Sequence, residues 1–426
     1  MKRIIIALMM LPLTVQGQTL DACQQAAEQN YPLIRQYGLI EKTTALTVAN
    51  IAKGWLPQVS AQAQATLQND VTAFPDQLQQ LYQQMGITME GLRKDQYRVG
   101  IDVSQTVYDG GTLRSQQDVA RRQGAVEEAQ TAVTLYQVRR RVNELYFALL
   151  LLDEQLRLNG DLQTLLQGSE QKLQAMFHRG TAAESDYLTV KAERLNVAQQ
   201  ATALQSQRRS LLLMLSAFCG IEVTAPSKPP LTDAGVTQSA SGGLRPELRL
   251  ADAQLRLADA REHSLHASLL PKLSVFAQGY YGYPGYNLFE DMMSRQWSLN
   301  GMVGARLTWN IGALYTLKND RAKLQLQRDA AETSRSVFLF NNNLEQIQQR
   351  ETMERYRQLM AADQEIIALR QSVRRAAESK LAHGIIDVND LVREMNSENA
   401  ARVQQSVHEI EMLKEAYNLK FTTNEQ

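Results

Sequence analysis

Residues 111–177 read GTLRSQQDVARRQGAVEEAQTAVTLYQVRRRVNELYFALLLLDEQLRLNGDLQTLLQGSEQKLQAMF, the pattern of one uninterrupted helix around which the rest of the chain is arranged. It holds no proline, and after Gly111 it carries only Gly124, Gly160 and Gly168. Leu, Gln, Arg, Ala and Glu, all good helix formers, fill most of it. Apolar residues recur at heptad distance: Val119, Val126 and Val133, then Val138, Leu145 and Leu152, with Val142, Leu149 and Leu156 offset by four. A sustained seven-residue repeat marks a coiled-coil seam, not the broader stripe of a globular helix. At 1.5 Å per residue such a helix spans roughly 100 Å. The expected molecule is elongated, and its function needs the length.

On the N-terminal side the period changes to two. Over 57–68, Val59, Ala61, Ala63, Ala65 and Leu67 alternate with Ser60, Gln62, Gln64, Thr66 and Gln68. Over 97–108, Tyr97, Val99, Ile101, Val103 and Val107 alternate with Arg98, Asp102, Ser104 and Thr106. Each run is long enough for a tilted membrane strand, which takes about 9–11 residues. The residues between, 69–95, read as a loop, and 19–53 read as one helix stopped by Pro57. Beyond the long helix, a turn at His178-Arg179-Gly180 leads to a helix over about 183–218. Pro226, Pro229, Pro230 and the Ser/Gly run ending at Gly243 mark 220–243 as a linker, an equatorial segment.

The programme then repeats. Residues 245–268 are helical, and Leu269-Leu270-Pro271 mirrors Trp55-Leu56-Pro57. Strands are expected over 272–282 and 297–309, separated by a Gly/Tyr/Pro loop over 280–295. Asn310-Ile311-Gly312 matches Asp109-Gly110-Gly111 and opens a long helix over 312–382, with heptads Leu317, Leu324, Ala331, Phe338 and later Leu359, Ile366, Val373. It ends at Ala382-His383-Gly384, and a last helix follows over 388–421. Residues 18–219 and 244–422 are therefore two structural repeats of helix, strand, strand, long helix and helix.

Lys2 and Arg3 precede the apolar run Ile4 to Leu13, with Val15 and Gly17 at −3 and −1 of a cleavage site, so 1–17 read as a secretory signal peptide. No later apolar run approaches the roughly 20 residues of a membrane helix. Lys+Arg and Asp+Glu both count 45, aromatics make up 6%, and no basic cluster interleaves with them. A nucleic-acid partner is not expected. Four strands cannot close a barrel, and an open sheet edge cannot exist in lipid. Three chains would supply twelve strands, within the range of outer-membrane barrels. Val99, Ile101, Val103, Leu299, Val303 and Leu307 would then face lipid, with Arg98, Asp102 and Arg306 toward the lumen. The reading from another class is an exported structural or adhesive coiled-coil protein, which needs length but no barrel.

Two glycine turns carry a resemblance. Gly180-Thr-Ala-Ala-Glu-Ser-Asp186 and Gly384-Ile-Ile-Asp-Val-Asn-Asp390 both place an Asp six residues after the glycine, and with the repeated Leu-Pro and Asp/Asn-x-Gly they make the chain similar to the TolC family of outer-membrane efflux channels over its mature length. The resemblance implies a mainly α fold with a membrane β-barrel portion: a homotrimer whose twelve-stranded barrel in outer-membrane lipid continues as a long α-helical coiled-coil tunnel. It also implies a periplasmic adaptor (a membrane fusion protein) and an inner-membrane pump of RND or ABC type, in a Gram-negative cell. The tip turns His178, Arg179, Gly180, His383 and Gly384 would then meet the adaptor.

No phosphate loop or nucleophile elbow occurs, and the one paired-His spacing is His263-x-x-His266. The expectation is no enzyme, no cofactor and no metal. Asp186, Asp387 and Asp390 lie just past the turns, where capping and the helix dipole favour a carboxylate and suffice to explain each one. The resemblance adds that Asp390 aligns with an aspartate ring lining a closed periplasmic mouth. The family pattern has a second Asp one turn further on, where this chain has Arg393. All four residues are gate candidates. Cys23 and Cys219 allow one disulfide or a pair of buried thiols at a junction where two short helices stack end to end.

Overall fold

The structure is a computed structural model, and it describes residues 19–88, 91–230 and 245–424. The leader expected over 1–17 and most of the linker over 220–243 lie outside the described residues. The elements run in the duplicated order. The first repeat comprises α1 (Leu20–Asn30), α2 (Ile34–Ala52), β1 (Gln58–Leu67), α3 (Asp76–Gln84), β2 (Asp95–Tyr108), α4 (Thr112–His178) and α5 (Glu184–Cys219). The second comprises α6 (Pro246–Ser268), β3 (Lys272–Tyr283), α7 (Leu288–Ser294), β4 (Ser298–Thr308), α8 (Ala313–Ala382) and α9 (Val388–Thr423). Among the described residues, no helix is long and apolar enough to cross a membrane.

Three expectations need correction. The helix read as continuous over 19–53 is broken between α1 and α2. Pro32 lacks the amide that would continue the ladder, and it pushes Tyr31 to an extended ψ of 128°. The stretches read as loops over 69–95 and 280–295 each contain a short helix, α3 and α7. Asn287 caps α7 by accepting from the Glu290 amide.

Among the described residues, chain contacts separate two compact units, one drawn from 19–38, 129–230, 245–250 and 333–424, the other from 39–88, 91–128 and 251–332. The first is helical. Leu20, Cys23, Val142, Tyr146, Phe147, Leu149, Leu215 and Leu413 meet where α1, α4, α5 and α9 converge. Burying each such large side chain contributes about 1.5–3 kcal/mol. A second cluster lies nearer the turns, with Leu166, Leu173, Val190, Val197, Val388 and Met395 from α4, α5 and α9.

The second unit holds one antiparallel sheet in the order β1-β2-β3-β4, with β2 and β3 joining the repeats and β1 and β4 at its edges. At the exit of β2, Asp109 accepts hydrogen bonds from the amides of Gly111 (2.8 Å) and Leu113 (2.7 Å), so its buried carboxylate starts α4.

Candidate functional site

Cross-strand pairs share a face of a sheet. Val59 pairs with Val103, Val103 with Ala277, and Ala277 with Val303. Val99 pairs with Tyr281, which pairs with Leu299; Ile101 pairs with Gly279, and Leu273 with Leu307. All six residues expected to face lipid therefore lie on one face. The other face carries Gln64 beside Arg98, Ser60 beside Asp102 beside Gln278, and Ser274 beside Arg306. The three residues expected in the lumen share it.

Aromatic rings bound the apolar face. At one end Trp297 stacks on Tyr97 (6.1 Å between centroids) and lies against Tyr281 (5.5 Å). At the other, a bulge between Thr106 and Tyr108 sets Tyr108 opposite Leu273, and the Trp309 indole donates to the Leu269 carbonyl at 3.0 Å. At about 3.3 Å per residue and a strand tilt near 40°, the rise from Tyr97 to Tyr108 is roughly 28 Å. That matches the apolar band of about 25 Å between the aromatic girdles of outer-membrane barrels.

At the turns, Gly180 and Gly384 adopt φ of +72° and +70°, the left-handed region in which a side chain is strained. The amide after each glycine reaches back to close the helix end, Thr181 to the Met176 carbonyl and Ile385 to the Lys380 carbonyl, both at 2.9 Å. His178 is the last residue of α4 and Arg179 follows it, with the His178 ring 5.7 Å from Phe177; His383 sets Nδ1 2.7 Å from the Ser379 carbonyl. The carboxylates divide one capping box between the repeats. Asp186 reaches back to the Ala183 amide (3.2 Å). Asp387, at the equivalent of Ala183, instead accepts from the Asp390 amide (2.9 Å). Asp390 is thereby left out of the cap, and Arg393 Nη2 donates to it at 2.6 Å.

The cysteines come together. Both are buried thiols, and Cys219 Sγ lies 3.4 Å from the Cys23 carbonyl oxygen. The hydrogen bond between the thiols, and then burial, push Cys219 well above the ordinary thiol range. His266 accepts from the Arg321 guanidinium, and among the described residues no group of three or more His, Cys, Asp or Glu is placed to hold a metal ion.

Sequence reasoning missed a pair of charge-reversed bridges. Glu170 on α4 receives Arg194 of α5 at 2.6 Å. In the second repeat Arg374 on α8 meets Glu398 of α9, at the positions equivalent by turn glycine, with the signs exchanged. The signal was present: the turn glycines stand at Gly180 and Gly384, and the same separation carries 170 to 374 and 194 to 398.

No protein-family model matches the chain, and no curated protein sequence does. Solved structures do. The outer-membrane channel OprN matches with a TM-score of 0.68 at 16% identity, over 96% of this chain and 90% of that one. The CmeC outer membrane channel of Campylobacter jejuni matches with a TM-score of 0.67 at 13% identity, over 95% and 85%. The outer membrane protein VceC of Vibrio cholerae matches with a TM-score of 0.64 at 13% identity, over 95% and 94%. The chain has the fold of these outer-membrane channels, over 95–96% of its own length and 85–94% of theirs.

Proposed function

We propose that the protein is an outer-membrane channel-tunnel, the exit duct of a tripartite efflux or secretion system in a Gram-negative cell. One observation carries the reading: a four-stranded sheet with an apolar face, aromatic rings at both ends of that face, and two strands each paired on one side only. A soluble sheet would cover its apolar face with a second layer. In lipid the face is already satisfied, and the edges of β1 and β4 are satisfied by further copies. Three copies close twelve strands, and the helical repeats extend into the periplasm, where an adaptor and an inner-membrane pump of RND or ABC type engage the tip turns. The duct catalyses nothing, and the pump chooses the cargo. The test is cell fractionation with electrophoresis of unheated samples in SDS, followed by capture of adaptor and pump from the solubilised membrane. A heat-modifiable trimer in the outer membrane is expected; a soluble monomer overturns the reading.

The mouth belongs to the same reading. Asp186 and Asp387 act as caps, and Asp390 is the carboxylate left to line the closed periplasmic end, with Arg393 beside it to lower the repulsion within a ring of three. Single-channel conductance should rise in Asp390→Ala, and blockade by multivalent cations added from the periplasmic side should weaken. Conductance and blockade unchanged in both Asp390→Ala and Arg393→Ala would place the gate elsewhere.

A further inference from the structure

We propose that the barrel wall favours anionic over cationic solutes, an inference that rests on the sheet lining a channel. The polar face of the four strands carries Arg98, Lys272 and Arg306 against Asp102 alone. Strand register places all four: Arg98 pairs with Gln64, Asp102 with Ser60, Lys272 with Thr308, and Arg306 with Ser274. Each chain thus adds a surplus of positive charge to the lumen, and a trimer repeats it three times around the axis. Rings of fixed charge set the ion preference of a pore, with Arg and Lys favouring anions. Low-dielectric walls focus that field along the channel.

The cations sit on rigid strands near both ends of the sheet. Lys272 opens β3 and Arg306 lies near the end of β4, so these two share one end. Arg306 holds its guanidinium 4.9 Å over the Phe276 ring. Phe276 pairs with Gly304, where an added Cβ would stand 2.7 Å from the ring's Cζ. The missing side chain lets the ring lie over β4 as a platform for the guanidinium. Toward the other end, Arg98 borders a polar recess of about 290 Å³ with Gln64, Thr66 and Tyr280. Asp102 lies between, flanked by Ser60 and Gln278. An anion meets a cation at either end of the barrel.

The measurement is the reversal potential of the full-length protein in planar bilayers under a KCl gradient, with potassium and chloride as the only probes. Replacing the cations together (Arg98→Gln, Lys272→Gln, Arg306→Gln) should lower the chloride-to-potassium permeability ratio roughly twofold or more. Asp102→Asn should raise it. The neutral Asp102→Asn change carries the test by itself should the triple variant not form trimers. Ratios equal to wild type in the trimeric variants overturn the inference and leave the duct standing. A wild-type protein that forms neither heat-modifiable trimers nor channels overturns the duct.

Discussion

Glu398 is 5% exposed on α9 and is held between Arg374 of α8 and Arg402 one turn along. Burial alone pushes its carboxyl up, but hydrogen bonds from the two guanidinium groups, and their charge, hold it below the usual carboxylate range. Removing it leaves Arg374 with half of its partners, at a cost of about 3 kcal/mol. The pH dependence follows from the sign. A lowered folded pKa contributes stability that is complete above the ordinary carboxylate value of about 4.3 and is lost as pH falls through the folded value. Thermal unfolding of wild type and Glu398→Gln should therefore differ near neutrality and converge in acid. A gap that persists at low pH would detach the effect from charge. The cysteine pair makes a separate prediction. In an oxidising compartment Cys23 and Cys219 should close a disulfide between the start of α1 and the end of α5. Denatured protein isolated without reductant should then take up no alkylating agent at either cysteine and regain both sites after reduction. Uptake at both before reduction would leave them as thiols.

Among the elements, α4 keeps one heptad register for most of its length. Gly124, Thr131, Val138, Asn159, Leu166 and Leu173 are buried at multiples of seven. One of these positions carries an amide: Asn159 Nδ2 donates to the Val197 carbonyl at 3.1 Å and pins α4 against α5. A buried polar residue in a seam fixes register because only one alignment satisfies it. The equivalent position on α8 is Asp363, buried and 2.9 Å from His408 of α9. The seam of α8 is interrupted. Leu324 and Ala331 lead to Phe338, but the next buried positions are Asn342, Gln349, Asp363 and Ala377, four residues out of step. Such a stutter locally unwinds a coiled coil. The strands carry their own prediction. Val103→Lys should cost on the order of 2–4 kcal/mol by setting a charge on the lipid face near the midplane, and Ser104→Lys on the opposite face should be tolerated. Equal yields of folded trimer from the two variants would mean that the assigned register is wrong.

For the molecule as a whole, the unpartnered surfaces describe what a single chain lacks. The polar seam of α8 faces its own chain, while Phe340, Leu344, Ile347, Ile366, Leu369 and Val373 stand exposed, Leu369 by 60%. Apolar surface on this scale marks an interface, and β1 and β4 remain open at the sheet edges. In the trimer proposed above, further copies of the same chain would cover both. Ile366→Glu should consequently abolish the trimer on unheated gels while the isolated chain keeps its helical circular dichroism. A trimer of undiminished heat stability would remove α8 from the interface.

Everything legible before folding follows from local chemistry. The change of period from seven to two separates rods from strands, because side-chain direction is set within a few residues of backbone. The turn glycines mark helix ends through a left-handed φ that other residues resist, and two copies of every signal in the same order reveal the duplication. The face assignment of Arg98, Asp102 and Arg306 was legible for the same reason, since alternation alone sorts a strand into two sides. Tertiary structure alone decided which stripe of α8 turns inward. The apolar heptad of Leu359, Ile366 and Val373 looks like the natural seam, yet the chain buries the row of Asn342, Gln349 and Asp363, and Gln349 and Asp363 find partners on α9. The exchanged signs of Glu170–Arg194 and Arg374–Glu398 likewise have no meaning until each long helix lies beside its shorter partner. Burial and pairing depend on which helix faces lie together, and residues 24 to 73 positions apart along the chain meet only once those faces have packed.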